Sequence, residues 1–147
     1  GDNAIIAWDE SADKFIVGTT TAVNTATGDL TIAAGTLVTS TVEDSKGDVR
    51  DITQNTQSGT YTLVAADAGK HIFASNTVTI PNNVFAAGDA VTIVNNTAGN
   101  ITITASIGTL YSASDGSTGN RTLSKRGMVT VLFVSGTVAH ISGAGLT

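Results

Sequence analysis

Cysteine is absent from this 147-residue chain, which excludes disulfides and thiolate metal sites. Proline occurs once, as Pro81, and no apolar run approaches the roughly 18 residues that cross a bilayer, so membrane insertion is not expected. Charge is the scarcest commodity: Asp, Glu, Lys and Arg make up 13 %, about half the usual share of a soluble domain. With a net charge of −5 and only 7 basic residues, the chain does not read as a nucleic-acid binder. Hydrophobic residues reach 41 %, which speaks against disorder, since disordered chains combine low hydrophobicity with high charge. The opening Gly1-Asp2-Asn3-Ala4 has no basic region followed by an apolar one, and no initiating Met. It reads as a piece of something longer, without a secretory leader.

What the chain has is threonine, roughly one residue in six, with abundant Val and Ile. β-Branched side chains suit a pleated surface and lose rotamer freedom in helices. Asn100-Ile101-Thr102-Ile103-Thr104-Ala105 and Thr77-Val78-Thr79-Ile80 alternate with period two, predicting half-buried strands with Thr facing out. Val129-Thr130-Val131-Leu132-Phe133-Val134 is apolar on both faces and predicts a central or doubly covered strand. Turns rich in Asn, Asp and Gly separate these runs, and only residues 63–69 suggest a helical turn, closed by Gly69. The fold class expected is all-β.

The chain reads as three segments. Residues 1–46 form a shaft-like part, with a hairpin pattern at Ile5–Trp8 and Phe15–Val17. Residues 47–59 form a polar connector, and residues 60–147 supply seven or eight short strands, enough for an antiparallel sandwich or jelly-roll-like tip. The first segment is too sparse to bury a core, because about three strands sharing an apolar face are needed for independent stability. A monomer this size exposes roughly 7,000 Å², and there are few charges to cover it. A symmetric oligomer resolves both problems and pairs strand edges that lack protective Lys and Pro. An intertwined homotrimer is the expectation, with Trp8, the only Trp, filling an inter-chain core.

Residues that carry chemistry are few. His71 and His140 have no carboxylate cluster beside them in sequence and read as strand residues with partly packed rings. One such His per chain near a three-fold axis would gather three imidazoles around an ion, but no metal or other cofactor is expected. Asp9-Glu10-Ser11-Ala12-Asp13 starts like a calcium loop, yet Lys14 stands where the sharp-turn Gly belongs and Thr20 where the closing Glu belongs, which leaves a polar hairpin turn. Ala68-Gly69-Lys70 partly matches a phosphate loop, but Val64 replaces its first Gly and His71 its hydroxyl residue. Glycoside hydrolysis needs two carboxylates about 5–10 Å apart. The tip offers Asp67, Asp89 and Asp115, each in a turn where such a side chain bonds its own backbone. Catalysis is therefore not expected. Binding is better served by residues 112–121, the longest polar loop of the tip. Tyr111, Asp115, Asn120 and Arg121 offer an aromatic face, a carboxylate, an amide and a guanidinium suited to saccharide recognition. The competing reading is a solvated hairpin loop with Tyr111 in the core and Arg121 holding the structure electrostatically. Asn95, Asn100 and Asn120 each open a glycosylation triplet, taken as chance in a chain this rich in Asn and Thr.

The strings GDVRDITQNTQSGTYTLVAADAGKHI (47–72), NNVFAAGDAVTIVNN (82–96), TGNRTLSKRGMVTVL (118–132) and HISGAGLT (140–147) resemble the C-terminal region of tail-fibre and other virion structural proteins of tailed phages, those of marine phages infecting cyanobacteria among them. IIAWDESADKFIVGT (5–19) and GDLTIAAGTL (28–37) are similar to the shaft modules that precede such tips. The resemblance implies a homotrimeric fibre end on the extracellular virion surface, joined to other virion proteins and facing a host glycan or outer-membrane protein. Attachment to the host is the function it implies. A purely structural head-fibre, decoration or trimerisation cap is the alternative, and a glycan-degrading tail spike a more distant one.

Overall fold

The computed structural model describes every residue except 1, 10–12, 24, 28, 29, 41, 45, 46 and 50. The chain is nearly all β, 51 % strand and 2 % helix, as its β-branched composition dictates. It divides into two compact units, Gly1–Thr41 and Val42–Thr147.

In the first unit β1 (Asn3–Asp9) and β2 (Lys14–Thr20) form the predicted antiparallel hairpin, with Trp8 opposite Phe15, and β3 (Ala33–Ala34) adds to β2. The turn at Glu10–Ala12, where the calcium-loop comparison was made, lies outside the described residues. Trp8 and Phe15 meet edge to face at 5.1 Å, and Trp8 stays 49 % exposed. Among the described residues, none of the buried hydrophobic cluster comes from this unit. Gly18 leaves room that a Cβ would not have, since it would stand 2.2 Å from the Ala33 carbonyl oxygen.

The second unit opens with a small hairpin, β4 (Glu43–Asp44) and β5 (Gly47–Asp48). A nine-stranded sheet follows: β6 (Gln54–Gln57), β7 (Tyr61–Thr62), β8 (His71–Ala74), β9 (Val78–Ile80), β10 (Ala90–Asn95), β11 (Ile101–Ala105), β12 (Thr109–Ser112), β13 (Arg121–Phe133) and β14 (Val138–Leu146). The long β13 is central, with one arm running β10, β8, β6 and the other β11, β9, β7. The chain alternates between the arms as it proceeds. Its end strands β6 and β7 are joined by only three residues, a link that spans at most about 14 Å. β13 pairs β11 through residues 121–123 and β10 through residues 128–132, with β14 as its neighbour along both stretches, so the two arms follow one another along β13. The sheet curls into a nearly closed, barrel-like form.

This winding corrects two expectations. Within each arm the strands are parallel, as is the β12–β14 pair, so the large sheet is not the antiparallel sandwich expected; within it the antiparallel ladders are those of β13 with β10, β11 and β14. The three-residue corners send the chain across to the facing arm, so each strand returns beside the strand two before it, in the same direction. Residues 47–59 are also more than a connector, since β6 joins the large sheet.

Both first turns of the winding have a 17-residue register, Gln54 to His71 and Tyr61 to Val78. The sequence repeats at that interval: Ser58-Gly59-Thr60-Tyr61-Thr62-Leu63 matches Ser75-Asn76-Thr77-Val78-Thr79-Ile80. Between the arms lies one core of alternate residues, including Ile72, Val78, Ile80, Val91, Ile93, Ile103, Val129 and Val131, with Phe85 stacked on Phe133 at 4.2 Å. Beyond residues 63 and 64 the suggested helical turn is a 3-10 turn at Ala65–Asp67, followed by Gly69 at φ +80°.

The two outer faces differ. On the second arm Thr62, Thr79 and Thr104 stand side by side, and Thr102 opposes Thr122. On the first arm and β13 three rows cross the strands. One runs Thr56, Phe73, Val94, Met128, Ala144; the next Gln54, His71, Thr92, Thr130, Ser142; the third Ala90, Leu132, His140, Tyr111. Met128 is 55 % and Leu132 46 % exposed there.

Candidate functional site

β12 presents Leu110 and Ser112 to the interior and Tyr111 to solvent, because successive side chains of a strand alternate. The chain then makes the loop of residues 113–120 and returns through a bridge between Tyr111 and Thr118. Gly116 at φ +72° and Gly119 at φ +104° supply its left-handed positions. Its backbone is tied to the strand base: Ser112 N–H bonds the Ser117 carbonyl at 2.8 Å, and Gly116 N–H the Ser112 carbonyl at 2.8 Å.

Ser117 is the hub of the polar side chains. Its N–H and hydroxyl donate to Asp115 Oδ1 at 3.0 and 2.7 Å. Those bonds favour the carboxylate, so Asp115 is held below its ordinary carboxylate pKa, with Ser117's hydroxyl the largest cause. Arg121 Nη2 donates to the Ser117 carbonyl and to its Oγ at 2.9 Å, and Nη1 to the Asn120 carbonyl at 3.1 Å. Asn120 Oδ1 accepts the N–H of Ala105 at 2.9 Å, which anchors the loop to β11. The structure thus joins Asp115, Asn120 and Arg121 into one rigid loop, using most of the guanidinium internally.

Tyr111 lies apart from that hub. It is 37 % exposed and so not the core residue of the competing reading. Its ring faces His140, with centroids 5.2 Å apart and planes at 30°, because parallel β12 and β14 set the two residues side by side. Sequence reasoning placed His140 in a strand but not beside Tyr111. The signal was non-local, a parallel pairing across 29 residues. Together the rings make a partly exposed aromatic pair at the base of the loop of residues 113–120.

Elsewhere the polar groups are built into the fold. Each of the three aspartates of the tip accepts a backbone N–H of its own turn: Asp67 from Val64, Asp89 from Ala86, Asp115 from Ser117. His71, half-buried on β8, has both ring nitrogens in contact, Nδ1 with the Ile52 carbonyl at 3.1 Å and Nε2 with Gln54 Oε1 at 3.0 Å. Ala68, Gly69 and Lys70 line a cleft of about 190 Å³ with Asp44, Asp51, Val49 and Thr53; two carboxylates against one ammonium make it a poor phosphate site. Among the described residues no group of three or more His, Asp or Glu is placed to hold a metal ion.

No protein family, curated protein or solved structure matches this chain.

Proposed function

We propose that this chain is the tip of a tailed-phage virion fibre, assembled as a homotrimer on the particle surface, and that it attaches the particle to a host envelope glycan or protein. The observation carrying the reading is the exposed Tyr111–His140 platform beside a loop that its own hydrogen bonds hold rigid. Aromatic rings stack on the apolar face of a sugar, while neighbouring polar groups fix its orientation. Pre-organisation lowers the entropy cost of binding, and three copies on one tip raise weak contacts through avidity. The sequence resemblance to virion fibres supports the setting. The proposed role is binding, with no chemical step and no cofactor.

The purified chain, added before phage, is expected to block adsorption to host cells, and Tyr111→Ala to weaken the block tenfold or more. Unchanged adsorption in the presence of excess chain would overturn the reading. One observation favours the structural alternative, a decoration or trimerisation cap: Arg121 and Asn120 spend hydrogen bonds on their own loop and on β11. A chain that assembles yet leaves adsorption untouched would favour that cap.

A further inference from the structure

We infer that the outer face of the first arm and β13 is the surface on which copies of this chain meet. The inference rests on the assembled tip proposed above and assigns its interface. The molecule carries its own comparison, since its two arms have the same construction and opposite outer surfaces. The second arm shows Thr62, Thr79 and Thr104, side chains that water solvates readily. The first shows Phe73, Val94 and Met128 in one row, with Leu132 two residues beyond Thr130 on β13. Nothing in the winding demands that difference, because both arms already bury their inner faces in the shared core.

Charge argues for a second copy as the occupant. None of the three rows contains Asp, Glu, Lys or Arg, in a chain whose net charge is −5. A charged surface would bring like charge toward like charge when two copies approach; here a copy brings a neutral face to a neutral face. Thr92 and Thr130, whose hydroxyls bond each other at 3.1 Å, already satisfy part of their polarity within the sheet, so covering them costs less. The area suffices. Five strands at about 4.8 Å and three rows at about 7 Å give a face on the order of 500 Å². Three such faces turned toward a common axis present about 1,500 Å² in all, above the roughly 1,000 Å² at which specific interfaces begin. Tyr111 and His140 stand at the β12 edge of the third row.

The test compares both faces in the full chain. Met128→Glu replaces an exposed side chain, so the core is untouched, and it is expected to shift the native mass to single chains at concentrations where the parent chain is assembled. Thr102→Glu on the threonine face is expected to leave the mass unchanged. Because the chain has no cysteine, Thr130→Cys treated with a short bismaleimide is expected to give covalently linked chains on a denaturing gel, and Thr102→Cys none. If the parent chain assembles while Met128→Glu keeps its mass and Thr130→Cys does not cross-link, this face is not the interface, and the assembled tip survives without it. If the parent chain is itself monomeric, both fail.

Discussion

Tyr61 donates its hydroxyl proton to Asp67, a carboxylate buried to 1 % exposure, at 2.9 Å. Asn55 Nδ2 donates to the same carboxylate at 2.8 Å and Val64 N–H at 2.9 Å. This cluster closes the end of the core beneath β6 and β7, where the winding begins. Bonds to a buried charge are worth about 1.5–3 kcal/mol, and leaving donors unpaired costs about as much. Asp67→Ala is expected to lower stability by about 3 kcal/mol, and Tyr61→Phe by about 1 kcal/mol, in urea unfolding.

The same pair gives a pH dependence. Burial, with the hydrogen bond to Asp67 second, raises the Tyr61 pKa above 10.0. The folded state therefore holds that proton more tightly than the unfolded chain. Its stabilisation is whole below pH 10 and is lost as pH rises through the folded value. Thermal unfolding of the parent chain is expected to weaken more steeply above pH 10 than that of Tyr61→Phe.

Asp115 works in the opposite direction. Its folded pKa lies below the ordinary 3.8, so the contribution is present above that value and is lost as pH falls through the lower one. The Ser117 amide resonance, which reports its bond to Asp115, is expected to titrate with a midpoint below 3.8. In Ser117→Ala, which keeps the amide but loses the hydroxyl, the midpoint should move toward 3.8.

Where β13 leaves β10 and joins β11, the ladder breaks between Leu123 and Met128, and Asn95 fills the break. It is fully buried, and Nδ2 donates to the carbonyls of Gly99, Leu123 and Ser124 at 2.8, 3.0 and 2.9 Å. Asn95→Ala is expected to cost about 2–3 kcal/mol through unsatisfied carbonyls. Asn95→Asp should cost more than Asn95→Ala despite its matching shape, because a carboxylate would face acceptors in the interior. Equal stabilities for the two variants in urea unfolding would contradict this role.

Much of the fold was legible because side-chain alternation is local. Thr79 and Thr102 face outward, Val78, Ile80, Ile101 and Ile103 face inward, and the Val129–Phe133 run is the central strand, as the pattern predicts. Period two reveals which face a residue occupies, but not which strand lies beside it or in which direction. That is why parallel pairing escaped an analysis of turns alone. The 17-residue repeat from Ser58 and Ser75 was the available signal; it covers only six positions, and longer corners after Ile80 and Asn95 break its spacing. Residues 113–120 were legible as a loop from their Gly, Asp and Ser content. The platform was not, because Tyr111 and His140 are joined only through β12 and β14.

Tyr111 gives the functional prediction. Removing one exposed ring from a contact is worth about 1 kcal/mol beyond its area, and three linked sites multiply the loss. Tyr111→Ala is expected to weaken adsorption blocking by tenfold or more while leaving the unfolding midpoint within about 1 °C, since the ring supports no core residue. An equal block by the variant would remove the platform from the binding site.

Native mass spectrometry of the parent chain at dilute concentration tests the central claim most directly. One chain is 14.8 kDa. The account predicts a species of three chains, held together by uncharged sheet faces and persisting as salt is raised. A stable population of single chains would contradict it.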